Sequence, residues 1–301
     1  MEPVEVLKAL LLGAVEGFTQ WLPVSSTAHQ ALLDELIRLD AREEFQAVFS
    51  VMIQLGTVFA VLLIFRERLW PFCSRPLTDN EAKALRSQPA PVRVIRTAML
   101  RYFDPDICSL WLRILIASLP AFILGLAFYD LITVKCTHLV IIAFVLILYG
   151  IVFVLLRRIL YGRRPTVRQP GQISLSKALI IGLFQSLSMV PGTSRTGAAI
   201  LGGMFVRTSR IVATEFSYYL SVPAIFGSCI YRLSRFALSF SGWEVLLLFC
   251  GMLTAFITSL VSIRFMLSYI RKHNFRIFGW YRIGLGIFIL LYYILLNHIL
   301  N

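Results

Sequence analysis

Two short stretches carry the residue types that do chemistry in an otherwise apolar chain. The first, Glu16 to His29 (EGFTQWLPVSSTAH), sets a carboxylate, the amide of Gln20, three consecutive hydroxyls at Ser25, Ser26 and Thr27, and His29 around Pro23. The second, Gln185 to Gly197 (QSLSMVPGTSRTG), sets Gln185, Thr193, Ser194, Arg195 and Thr196 around Pro191-Gly192. If a helix starts near Ser26, His29 lies one turn on and shares its face. A hydroxyl and an imidazole so placed can act as nucleophile and base. Arg195 is the one basic residue of the second stretch, and its planar fork suits a phosphate or carboxylate. Plainer roles exist for each: a helix cap for Ser26, a lipid or backbone contact for His29, a structural pair with Glu16 for Arg195.

These stretches sit in a membrane protein. Of 301 residues 58% are hydrophobic and only 15% charged, against about half and a quarter in soluble domains. The formal charge of +13 flanks apolar runs, so it reads as membrane orientation and not as nucleic-acid binding. Cys73, Cys108, Cys136, Cys229 and Cys250 form no CxxC pair, which argues against a disulfide framework or zinc. The start, MEPVEVLKALLLG, carries two acids, lacks the basic start of a signal peptide and is expected to be retained.

Apolar runs at 45–65, 111–129, 136–156, 210–231, 243–263 and 279–298 predict six transmembrane helices, with a short turn at Asp130 to Lys135. Residues 4–20 with 26–37, and 174–190 with 194–206, are each too short to span and are broken by proline. They predict two re-entrant helical hairpins, whose irregular backbone must be buried or line a wet cavity. Residues 66–110 form a basic connection interrupted by prolines and suited to short surface helices. Gln46, Ser50 and Gln54 share a face of the first span, which makes Ser50 and Gln54 supporting candidates for the site. Connections 66–110, 157–177 and 264–276 are strongly basic, whereas 34–44, 130–135 and 232–244 are not. The positive-inside rule then puts the first set in the cytoplasm and both termini outside, against which stand only Arg232 and Arg235.

The chain also resembles itself. Lys8-Ala-Leu-Leu-Leu-Gly13 matches Lys177-Ala-Leu-Ile-Ile-Gly182, which sets Glu16 opposite Gln185, and Pro23-Val-Ser25-Ser26 matches Pro191-Gly-Thr193-Ser194. Two units, about 4–156 and 174–298, each hold a broken hairpin and three spans. An odd number of spans inverts the second unit. The expected fold is one all-α polytopic membrane domain built as an inverted-topology repeat, an arrangement common in secondary transporters.

At Glu16–His29 and Pro191–Gly197 the chain resembles the undecaprenyl-pyrophosphate phosphatase family, also called bacitracin-resistance proteins, whose blocks EG-x-T-x-x-LPVSST-x-H and PG-x-SR-x-G it carries in order. The resemblance runs along nearly the whole chain. It implies a multi-pass enzyme of the bacterial inner membrane that hydrolyses undecaprenyl pyrophosphate to undecaprenyl phosphate and phosphate, recycling the carrier lipid for the cell envelope. It also implies a divalent cation, Mg2+ or Ca2+. The family has an acid where this chain has Gln20, which weakens a two-carboxylate metal site, and commonly glycine where this chain has Ala28. In this frame Ser26 is the first candidate nucleophile with His29 as its base, and the exchange of these two roles stays open. Arg195, Ser25, Thr27, Thr193, Ser194, Thr196 and Gln20 contact the pyrophosphate, helped by the N-terminus of helix 194–206. Glu16 holds the cation or else orients His29, with Gln185 as its pseudo-symmetric partner. The phosphate end approaches from the outer side and the prenyl tail lies among membrane lipids. A homodimer is an assembly left open.

Two other functions fit the same features. The inverted repeat suits a lipid-phosphate flippase or a secondary anion transporter. The Gln20 departure suits a protein that holds the lipid without cleaving it. Phosphate release in detergent, where no gradient exists, separates both from an enzyme.

Overall fold

The computed structural model describes residues 2–73, 83, 88–136, 138–235 and 240–300. Arg75 and Arg86 of the 66–110 connection lie outside the described residues. The regular structure is helical: α1 (Glu2–Gln20), α2 (Ser26–Leu36), α3 (Glu43–Ile64), the single turn α4 (Arg66–Leu69), α5 (Ala90–Tyr102), α6 (Pro105–Cys136), α7 (Leu139–Ile159), α8 (Leu175–Ser186), α9 (Arg195–Phe205), α10 (Arg210–Leu233), α11 (Gly242–Lys272) and α12 (Arg276–Leu300). Serine starts five of them. The hydroxyls of Ser25, Ser174, Ser194, Ser209 and Ser241 accept from first-turn amides, and Glu244 completes a capping box on α11.

Among the described residues five helices are long and apolar enough to cross a membrane: α3, α7, α11, the Pro105–Phe128 part of α6 and the Arg276–Leu295 part of α12. The sixth expected span, α10, does not meet that description. That helix is 24 residues long but carries Thr214, Glu215, Ser217, Tyr218, Tyr219 and Ser221, all buried. It packs against α3, α6 and α9, so its polar groups face protein on several sides. The predicted turn at 130–135 is corrected. Helix α6 continues through it to Cys136, and the segment contains no glycine or proline to stop it. The expected short helices of the 66–110 connection are α4 and α5, tied to the start of α6 by a bridge between Phe72 and Phe103.

Helix contacts exchange between the halves. Helix α1 packs on α11 and its counterpart α8 packs on α6, while α3 meets α11 as α10 meets α6. Helix α7 pairs with α12. The matched glycines make the closest approaches. A β-carbon at Gly13 would stand 2.3 Å from the Gly251 carbonyl oxygen, and one at Gly182 would stand 1.9 Å from that of Ala117. Backbones so close explain why these two positions hold glycine, as small residues commonly do between membrane helices. The symmetric contacts agree with an inverted repeat. The outer surface exposes Phe122, Leu126, Phe144, Leu148, Phe249 and Val261, an apolar belt that suits lipid and not water. Arg42 of the 34–44 connection binds Glu244 beside the 232–244 connection through two contacts of 3.0 and 3.1 Å. This is therefore an all-α polytopic membrane protein.

Candidate active site

Each hairpin breaks at its proline. Helix α1 ends at Gln20 and α2 turns back along it, so that Gln30 Nε2 donates to the Leu12 carbonyl and to Glu16 Oε2, both at 3.2 Å. Ser25 ends the break in a left-handed conformation, φ 75°, and its hydroxyl receives Ala28 N–H. The cap of α2 is thus Ser25, which leaves Ser26 free of that duty. Helices α8 and α9 close in the same way, with Gly202 against Phe184 and Ile181. Gly192 has φ 92°, where a side chain would be strained and would also meet the Ile142 carbonyl.

The two breaks meet. Gly192 N–H donates to Thr27 Oγ1 at 3.3 Å, and Thr196 Oγ1 donates to the Leu22 carbonyl at 3.3 Å. Ser194 Oγ stands 3.4 Å from the same carbonyl and caps α9. These contacts join residues more than 160 apart in sequence and bring Arg195 beside the first hairpin.

Gln20 is the hub. With its amide set to satisfy its neighbours, it donates to Ser26 Oγ at 2.8 Å and to Glu16 Oε1 at 3.2 Å, and it accepts from Arg195 Nη1 at 3.2 Å. The opposite setting would face amide oxygen to carboxylate and amide nitrogen to guanidinium. Glu16 and Arg195 are therefore joined through Gln20. Glu16, Gln20, Thr193, Ser194 and Thr196 are buried, whereas Ser26, His29 and Arg195 are half-buried and Thr27 is exposed. The reactive groups thus lie at the open edge of a buried polar network.

His29 is held on both nitrogens. Nδ1 lies 2.7 Å from the Ser25 carbonyl, which can only accept, so Nδ1 carries the proton and Nε2 accepts from the Tyr281 hydroxyl at 2.7 Å. The Tyr281 ring lies parallel to the imidazole. Ser26 and His29 share an edge of the site, but each is bonded to a different partner. Ser50 closes on its own helix through the Ala47 carbonyl, and among the described residues neither it nor Gln54 hydrogen-bonds the cluster. Gln185 is buried on α8, and among the described residues both its amide atoms are unpartnered, outside the network around Glu16.

Two further residues join the site from outside both stretches, Tyr281 and Arg282. Arg282 is fully buried, and it donates to the Pro23 carbonyl at 3.1 Å and to the Gly192 carbonyl at 2.7 Å, one from each break. Tyr149 and Phe153 flank its guanidinium. An arginine inside an apolar run was the available signal. Arg282→Met would leave two buried carbonyls unpaired, at about 1–3 kcal/mol each. Thermal unfolding in detergent is expected to move down by several degrees, and an unchanged midpoint would contradict this account of how the breaks are held together.

Glu16 is also the residue to test for a cation. Among the described residues no three His, Cys, Asp or Glu side chains gather into a metal cluster. Each Glu16 oxygen receives one amide hydrogen, from Gln20 and Gln30, so lone pairs remain on both. One carboxylate together with phosphate oxygens is a known way to bind Mg2+. The donor set fits a cation that arrives with a phosphate ligand.

Comparisons with known proteins cover nearly the whole chain. The family model described as bacitracin resistance protein BacA matches residues 9–288. The undecaprenyl-diphosphatase of Lachnoclostridium phytofermentans is 39% identical over 295 residues, 98% of this chain and 99% of that protein. Undecaprenyl-diphosphatase 1 of Clostridium acetobutylicum is 38% identical over 98% of this chain and all of its own length. An undecaprenyl-diphosphatase of Enterococcus faecalis is 40% identical over 96% and 97%. A family match over residues 9–288, which hold both of the broken hairpins that meet in space, makes this chain a member of the bacitracin resistance protein BacA family.

Proposed function

We propose that this chain is an undecaprenyl-diphosphatase that cleaves the terminal phosphoryl group of undecaprenyl pyrophosphate, yielding undecaprenyl phosphate and phosphate. Relatives of that name match it over nearly all of its length. The observation that carries the assignment of the site is the junction of the two breaks, where Arg195 and the Glu16–Gln20 pair stand next to Ser26. It sets a nucleophile beside a phosphate-binding guanidinium at the edge of a buried polar network, which is what phosphoryl transfer needs.

In this mechanism Arg195, Thr27 and the first amides of α9 bind the terminal phosphoryl oxygens. Ser26 Oγ accepts from Gln20 and so keeps its own hydrogen to give. Ser26 Oγ attacks the terminal phosphorus as the bond to the bridging oxygen breaks. Undecaprenyl phosphate departs, and the serine proton passes to His29 Nε2 after Tyr281 releases it. A water activated by His29 then frees phosphate from Ser26. A divalent cation held by Glu16 and the pyrophosphate would neutralise charge on the phosphoryl oxygens.

Six helices cross the membrane in this reading, with α10 shielded from lipid by its neighbours and the two hairpins re-entrant. Both termini and the opening of the site lie on the outer face. The support is that connections assigned to one side meet one another, as Arg42 meets Glu244.

The purified protein is expected to release phosphate from undecaprenyl pyrophosphate in detergent with Mg2+ or Ca2+ and to stop with chelator. Lipid bound without turnover under every cation would favour the transport or binding function. Gln20→Glu adds a second carboxylate beside Glu16. We expect it to lower the cation concentration for half-maximal activity about tenfold, and an unchanged cation requirement would remove Glu16 as the ligand.

A further inference from the structure

At the end of α9 remote from Arg195, about 16 Å away along the helix, lies a cavity of about 600 Å³ that takes no part in the chemistry above. Six arginines line it: Arg157 from α7, Arg163 from the following loop, Arg207 and Arg210 from the α9–α10 turn, Arg271 from α11 and Arg276 from α12. Among the described residues none of the six pairs with a carboxylate. Arg210 donates to the His273 carbonyl, and Arg163 lies over the Phe205 ring. So many like charges around one cavity repel, unless an anion sits among them.

A second observation points the same way. Thr208 lines the cavity, is only 2% exposed, and among the described residues its hydroxyl has no hydrogen-bond partner. It immediately precedes the cap of α10, whose first amides, at Arg210 and Ile211, have no helical carbonyl to meet. The turn is fixed in place. Arg207 adopts φ 66° while its carbonyl receives the amides of Thr166 and Val167, and Ser209 N–H returns to Val167. A buried hydroxyl, a helix N-terminus and guanidinium groups converge as they would on a phosphate.

The floor decides which phosphate. Phe153, Leu156, Ile270 and Phe275 are buried beneath the arginines, and apolar Phe205 and Ile277 lie exposed beside Arg163 and Arg276. A free anion has no use for such a floor, whereas the glycerol and first methylenes of a lipid do. We infer that this cavity binds the phosphate headgroup of an anionic phospholipid, on the membrane face that carries the basic connections.

The test is thermal unfolding of the purified full chain in a neutral detergent, titrated with phosphatidylglycerol, phosphatidylcholine or sodium phosphate. Phosphatidylglycerol is expected to raise the midpoint by several degrees, and the other two at matched concentration by less than one. In Arg157→Gln/Arg207→Gln/Arg271→Gln the concentration for half the effect should rise at least tenfold, while Arg93→Gln/Arg96→Gln/Arg101→Gln on α5 should respond as wild type. If the triple variant does not fold, Thr208→Val and Arg207→Gln singly are expected to weaken the effect threefold or more. An equal shift with phosphatidylcholine, an equal shift with phosphate alone, or a full shift in the pocket variants would each overturn the proposal.

Discussion

Ser26→Ala is expected to reduce phosphate release from undecaprenyl pyrophosphate by about 10³-fold or more, with KM changed only a few-fold. The prediction is sharp because the hydroxyl has little structural work. Ser25 caps α2, while Ser26 Oγ bonds the side-chain amide of Gln20 and lies beside the Glu16 carboxylate. Its removal forfeits one half-buried hydrogen bond, about 1 kcal/mol, so the variant should fold and melt close to wild type. Ser25→Ala is the contrast, since it removes a cap worth about 1 kcal/mol and the Thr27 contact at 3.0 Å. Steady-state rates alongside detergent melts separate the two. A Ser26→Ala enzyme within tenfold of wild type would pass the nucleophile's role to His29 or to water.

Arg195→Ala is expected to cost about 10²–10⁴-fold in kcat, the range for losing a preorganised cation from a phosphoryl-transfer site. Arg195→Lys keeps the charge but not the planar fork and should recover only part, to within about 10–100-fold of wild type. Arg195 stands at the first position of α9 and bonds Gln20. The carbonyl contacts that join the hairpins come instead from Ser194, Thr196 and Arg282. Expression and melting should therefore survive the substitution. An alanine variant that keeps its rate would mean that the two hairpins do not share a substrate.

What could be read in the sequence is what is local. The prolines, the hydroxyl runs and the lone arginine announce two broken hairpins, and the caps at Ser25 and Ser194 fall where the breaks allow. The repeat was legible because Gly13 and Gly182 answer the same close contact, each against a partner in the other half. The contact between the breaks was not legible. Neither Thr27 with Gly192 nor Arg282 with Pro23 leaves a periodic trace, since each pair is far apart in the chain. Gln20 reads from sequence as a missing acid, whereas in the folded protein its amide donates to Glu16 and accepts from Arg195, which a second carboxylate could not do. Helix α10 reads as a span from its length, but its hydroxyls and Glu215 belong to a helix that other helices surround. Glu215 binds Arg68 at 2.7 Å, another contact without local signal.

A double-mutant cycle tests the composite site most directly. Initial rates of phosphate release from undecaprenyl pyrophosphate would be measured for wild type, Ser26→Ala, Arg195→Ala and the double variant, all at saturating cation. If the two side chains serve one phosphoryl group, the double variant should fall to about the rate of the slower single variant, because residues that act as a unit are not additive. Losses that multiply, or a single variant that keeps its rate, would contradict the claim that the two broken hairpins build one active site.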